Sequence, residues 1–145
     1  MRTLIAFAVL LVGLSVASGE PIAPNRITVL DGDTIRIDGA KPDYRLVGFN
    51  APETLRAQNA TEATMGEEAS KRLQELVSGG DLDFVRVPCA CQPGTEGTRQ
   101  CNFGRFCGTL KARGVDVGTT LISEWLAVPF VCGETRCPRT PNPWR

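Results

Sequence analysis

The chain has 145 residues, long enough for one domain with a real core, and carries 16 basic and 16 acidic side chains but no histidine. That balance gives no global sign of a nucleic-acid partner. The missing histidine excludes a His-based triad, a His general base and any His-containing metal site. Hydrolytic chemistry, if present, falls to carboxylates, arginines, a thiol or a metal held by oxygen.

In chain order, Arg2 gives a positive start, Leu4 to Ala17 form an apolar run, and Ala17-Ser18-Gly19 offers a small-residue cleavage site. This predicts a secretory signal peptide over residues 1–19, because 14 apolar residues are short for a membrane span. An uncleaved anchor is the alternative. Export to a periplasmic or extracellular location is expected, with no stable membrane association after cleavage. Loss of Arg2 alone leaves 15 basic and 16 acidic residues. Residues 20–98 carry 8 basic and 13 acidic side chains, and residues 99–145 carry 7 and 3, so the second half is locally basic.

Within residues 20–145, Arg26 to Leu30 and Thr34 to Asp38 alternate with a period of two, and Asp31-Gly32 between them suits a tight hairpin. Asp38-Gly39 and Lys41-Pro42 form the next turn, and Tyr44 to Phe49 read as a third strand. Thr64 to Glu67 has capping-box spacing, with Met65, Ala69, Leu73, Leu76 and Val77 following at helical intervals and Gly79-Gly80 as a stop. Asp81 to Val87 and Cys107 to Arg113 read as strands. A second helix is expected over Val117 to Ala127, with Val117, Leu121 and Trp125 on one stripe. The tail after Cys137 holds three prolines and should be irregular from 132 to 145. The predicted class is α+β: a five-stranded OB-fold β-barrel with two main helices.

Six cysteines, Cys89, Cys91, Cys101, Cys107, Cys132 and Cys137, follow the export signal. In an oxidising compartment they read as three disulfides stapling the domain, with pairing open among 15 arrangements. A zinc site of Cys89, Cys91, Cys101 and Cys107 is the rival, although it lacks paired C-x-x-C knuckles. The loop 88–107 is thus both cysteine-rich and glycine-rich.

Three stretches carry candidate chemistry. In VLDGDTIRIDG, Asp31 and Asp33 either make a turn or hold a hard cation that relieves their mutual repulsion. In YRLVGFNAPET, Arg45 sits inside an apolar strand and needs an anionic partner, either an internal carboxylate or a ligand. Glu53, after the rigid Pro52, is a surface carboxylate or one able to take a proton from water. In NFGRF, Arg105 stands on a bendable loop, as an exposed cation or an anion contact.

Taken in order, DGDT, YRLVGFNAPET, GEEAS on a helix, FGR and a helix ending in LAVPFV resemble the staphylococcal nuclease (thermonuclease) family from about Arg26 to Val131. The resemblance implies an OB-fold, calcium-dependent cleavage of DNA and RNA with little sequence preference, and products ending in 3′-phosphates. It implies calcium at Asp33, Asn50 and the Ala51 carbonyl, with Asp31 behind them. Arg45 and Arg105 would grip the phosphate, and Glu53 would act as general base or water-orienting group.

Three departures stand out. Asn50 replaces a ligating aspartate, which removes one negative charge and predicts weaker calcium binding or help from the substrate phosphate. Phe103 and Phe130 replace tyrosines near the substrate; they could stack on bases or serve packing. The proline-rich tail leaves no room for the family's C-terminal helix, and a cross-linked cysteine loop could instead hold Arg105 in place. The leading reading is a monomeric, exported metal-dependent phosphodiesterase acting on DNA, RNA or both. A second is an OB-fold module that binds single strands without cutting, which Asn50 favours. A third, a cysteine-stapled structural or inhibitor protein, leaves Arg45 and the acidic turn unexplained.

Overall fold

The computed structural model describes residues 19–144; the signal-peptide expectation for residues 1–19 lies outside them apart from Gly19. The strands are β1 Glu20–Ile22, β2 Ile27–Asp31, β3 Thr34–Ile37, β4 Ala40–Leu46, β5 Gly48–Asn50, β6 Leu82–Val87, β7 Phe106–Ala112, β8 Val115–Asp116 and β9 Val128–Phe130. The helices are α1 Ala60–Ser78 and α2 Val117–Ser123. Among the described residues no helix is long and apolar enough to cross a membrane.

The α+β class holds, but the closed barrel does not. One mixed sheet runs β1-β6-β7-β4-β3-β2, with β8 beside β7. Closing a barrel would require β6 to pair with β2. That edge of β6 is instead taken by β1, whose Glu20 lies opposite Phe84. The segment expected as one strand from Tyr44 to Phe49 divides in two. Gly48 has φ of 96°, a left-handed conformation that suits a residue without Cβ. Beyond it, Phe49 and Asn50 leave the main sheet to pair with β9, with Asn50 opposite Val128. Lys41 and Pro42 lie within β4, so the turn before it is made by Asp38 and Gly39.

α1 begins five residues before the predicted start. Asn59 is its cap, and its Oδ1 accepts from the Glu62 N–H at 2.9 Å. Asn59-x-x-Glu62 has the same spacing as the expected box, and the buried Glu62 reaches back to the Gln58 N–H at 2.8 Å. Ala69, Leu73 and Val77 then face a core with Ile35, Leu46, Phe49, Leu110 and Leu121. α2 stops at Ser123, four residues short of expectation. Trp125 takes φ of 62° and is 85% exposed, so it leaves the Val117–Leu121 stripe for solvent. The residues of LAVPFV that were read as a helix end instead reach β9.

All six cysteines pair: Cys89–Cys107, Cys91–Cys101 and Cys132–Cys137. The zinc alternative is thereby excluded, since its four sulfurs are consumed in two of these bonds. Cys89, Cys101 and Cys107 are buried and form a small second core with Val47 and Val87. The segment after Cys137 is irregular, as its prolines predict.

Candidate active site

Strand register brings the predicted residues together. Thr34 on β3 lies opposite Arg45 on β4, and Arg45 lies beside Cys107 on the parallel strand β7. Asp33 therefore precedes the strand on one side of Arg45, and Arg105 precedes the strand on the other. The turn at 31–33 is tucked against the loop after β5. A Cβ at Gly32 would stand 2.7 Å from the Ala51 Cβ and 2.9 Å from the Ala69 Cβ, so a larger residue would push the turn away.

Asp33 is buried and fully engaged. Its Oδ2 accepts from the Ala51 N–H at 3.0 Å and lies 2.9 Å from Arg45 Nη2. Its Oδ1 accepts from the Thr34 hydroxyl at 3.1 Å. Burial raises its pKa to about 6, assisted by the Asp31 charge and opposed by Arg45 and the Ala51 N–H. Asp31 serves the turn directly: its Oδ1 accepts from the Asp33 N–H at 3.1 Å.

Arg45 fills the space between these groups. Nη2 donates to the Phe49 carbonyl at 3.0 Å and to Asn50 Oδ1 at 3.1 Å, and Nη1 donates to the Leu46 carbonyl. The internal carboxylate weighed as its partner is thus Asp33. Arg105 is held by its own loop, with Nε donating to the Asn102 carbonyl at 3.2 Å and Nη2 to Asn102 Oδ1 at 3.0 Å. Its Nη1 donates to Thr34 Oγ1 at 3.1 Å. An unbroken chain of polar contacts therefore runs Arg105, Thr34, Asp33, Arg45, Asn50.

Burial and the nearby Arg45 charge push the Arg105 guanidinium below its ordinary range, while Asp33, Asp31 and Glu53 pull the other way. Two guanidiniums that repel each other across a partly dry site gain from an anion between them. Glu53 is exposed at the rim. Its backbone is fixed by close approach of α1, because a Cβ at Gly66 would stand 2.5 Å from the Glu53 carbonyl oxygen.

For calcium, the donor set fits in kind and carries one condition. Asp33 and Asn50 supply hard oxygens suited to such an ion, but Arg45 Nη2 already rests on both side chains. A cation using those oxygens must displace that contact. Among the described residues, no group of three or more His, Cys, Asp or Glu side chains is arranged to hold a metal ion. The proposed ligands thus comprise one carboxylate and neutral oxygens.

Phe103 is 74% exposed, with its ring centroid 5.9 Å from Arg105 Cζ. Phe130, on β9, lines a cavity of about 830 Å³ that is also lined by Arg45, Asn102 and residues of the two cysteine loops. Thr34, which links Arg105 to Asp33, and Asn102, which holds Arg105, were not among the predicted site residues. The DGDT and NFGR strings contained both, but nothing in their spacing revealed that each would bond Arg105.

No protein-family model matches the chain. Over 100 residues it is 34% identical to endonuclease YncB of Bacillus subtilis (strain 168), an alignment covering 68% of this chain and 43% of YncB. It is 33% identical over 100 residues to SPbeta prophage-derived endonuclease YokF of the same organism, covering 68% of this chain and 31% of YokF. The chain therefore aligns with less than half the length of either of these relatives, both of which are named endonucleases.

Proposed function

We propose that this chain is an exported, calcium-dependent nuclease of the thermonuclease type, hydrolysing phosphodiester bonds of DNA and RNA with little sequence preference. The observation that carries this reading is the convergence of Arg45, Arg105 and Asp33 through Thr34, with the Glu53 charge acting on Arg105. Similarity to two proteins named endonuclease supports a nuclease function at the family level.

In this proposal, Arg105 and Arg45 donate to the non-bridging oxygens of the scissile phosphate, whose negative charge grows as water adds. Glu53 accepts the proton of the attacking water as the new oxygen–phosphorus bond forms. The bond to the 5′ oxygen breaks, and that oxygen takes a proton from solvent, leaving a 3′-phosphate. Calcium, when held by Asp33, Asn50 and the Ala51 carbonyl, supplies positive charge beside the phosphate. Phe103 and Phe130 offer ring faces to bases.

One observation favours a second reading, a module that binds single strands without cutting. Arg45 Nη2 stands on the oxygens a cation would need, and Asn50 brings no charge to draw the cation in. Glu53→Gln separates the two. For the nuclease, cleavage falls by about 10²–10⁴-fold while anisotropy of a labelled oligonucleotide still reports binding. For the binding module, the wild type binds and does not cut, and Glu53→Gln changes nothing.

A further inference from the structure

The segment 138–144 is irregular, yet it meets the site side of the molecule at three separate side chains. Asn50 Nδ2 donates to the Pro141 carbonyl at 3.0 Å. Asn142 Nδ2 donates to Glu62 Oε1 at 2.8 Å, and Asn59 Nδ2 donates to the Trp144 carbonyl at 3.2 Å. Asn142 Oδ1 also accepts from the Trp144 N–H at 3.2 Å, which turns the segment between those two anchors. Residues 50, 59 and 62 bracket the loop that carries Glu53.

Glu62 is the centre of this clasp. It is 1% exposed, and its two carboxylate oxygens are divided between Gln58 N–H and Asn142 Nδ2. Its own N–H is bound by the Asn59 cap. Removing Asn142 leaves one oxygen of a buried carboxylate without its donor, at the junction between the Glu53 loop and α1.

The contact at Asn50 has a more specific consequence. A carboxylate presents two equivalent oxygens and needs no orientation, whereas an amide presents an acceptor on one side and a donor on the other. Arg45 can only donate and the Pro141 carbonyl can only accept. Held between them, the Asn50 amide has one satisfactory orientation, with Oδ1 toward Arg45 and Nδ2 toward the segment.

We infer that segment 138–144 is a positioning strap, with Asn142 as its anchor, that orients the Asn50 amide for the reaction. The inference rests on the proposed nuclease reading for its effect on turnover, but the orientation of Asn50 can be read without any substrate. The neutral residue at position 50 and the non-helical tail are then complementary features: the tail supplies by geometry part of what a second charge would supply by chemistry.

The test is a double-mutant cycle of Asn142→Ala with Asn50→Asp, in the full chain with its disulfides formed. Asn142→Ala should lower kcat on single-stranded DNA by roughly ten- to a hundredfold, as misplacement of a site does, with KM moving far less. In the Asn50→Asp background the same change should cost less than about threefold, because a carboxylate needs no orienting and already repels the Pro141 carbonyl. Equal losses in both backgrounds would overturn the positioning role. The second readout is the 15N-resolved side-chain amide of Asn50 in substrate-free protein. A distinct amide pair in the wild type should move toward solvent-averaged positions in Asn142→Ala while the backbone spectrum of β3 and β4 stays in place. An Asn50 amide unmoved by Asn142→Ala and by deletion of residues 138–145 would overturn the strap. Wild-type protein that fails to cut, but whose Asn50 amide follows the strap, would sink the nuclease reading and support the strap.

Discussion

The Arg45–Asp33 pair is the part of the site most open to a quantitative challenge. Both side chains are 11% exposed, and Arg45→Met removes the charge while keeping most of the volume. Removing one member of a buried pair costs about 3–5 kcal/mol, because the remaining charge has lost its partner. The loss depends on pH. Asp33 already has its pKa raised to about 6 by burial, and Arg45 is the strongest influence holding it down. Without Arg45 it rises further. A carboxyl raised in the folded state binds its proton more tightly there than in the unfolded chain. Its contribution to stability is therefore greatest below the ordinary aspartate range and is lost as pH rises through the folded value, by up to about 1.4 kcal/mol per pH unit. Urea unfolding of oxidised wild type and Arg45→Met, without divalent cations, is the assay. At pH 8 the variant should be about 3–5 kcal/mol less stable, and by pH 5 the gap should shrink to about 1–2 kcal/mol as Asp33 takes up its proton. A gap of the same size at both pH values would refute the assignment of Asp33 as the charged partner of Arg45.

Two further predictions concern the Arg105 side of the site. Arg105→Lys should not restore activity, because one ammonium cannot meet Asn102 Oδ1, the Asn102 carbonyl and Thr34 Oγ1 together; steady-state cleavage within about threefold of wild type would argue against the fork geometry. Reduction of the Cys89–Cys107 and Cys91–Cys101 bonds, which close segments of 18 and 10 residues, should cost about 2–4 kcal/mol each in denaturant unfolding and lower turnover by loosening the Arg105 loop. Unchanged stability and turnover in the reduced protein would leave the staples without that role.

The hairpin around Asp31-Gly32, the apolar face of α1 and the three disulfides were legible because each depends on short-range pattern or on cysteine count. The edge strand β1 was not, because Glu20–Ile22 is three residues long and gains its identity only from pairing with β6. The failure of barrel closure follows from the same long-range pairing. The start of α1 was misplaced because two capping boxes lie within one turn and a half, and burial of Glu62 decides between them. At the site, Asp33, Arg45 and Arg105 were named from motif order, and strand register brings them together. The contacts from Pro141, Asn142 and Trp144 join residues 80 to 91 positions apart, a distance over which periodicity carries no information.

The central claim is tested most directly by the oxidised protein on labelled single-stranded DNA, double-stranded DNA and RNA, with calcium titrated and then chelated, and with Arg105→Ala alongside. The account predicts cleavage that rises with calcium, disappears with chelator and is lost in Arg105→Ala. Strand binding without cleavage at saturating calcium would contradict it.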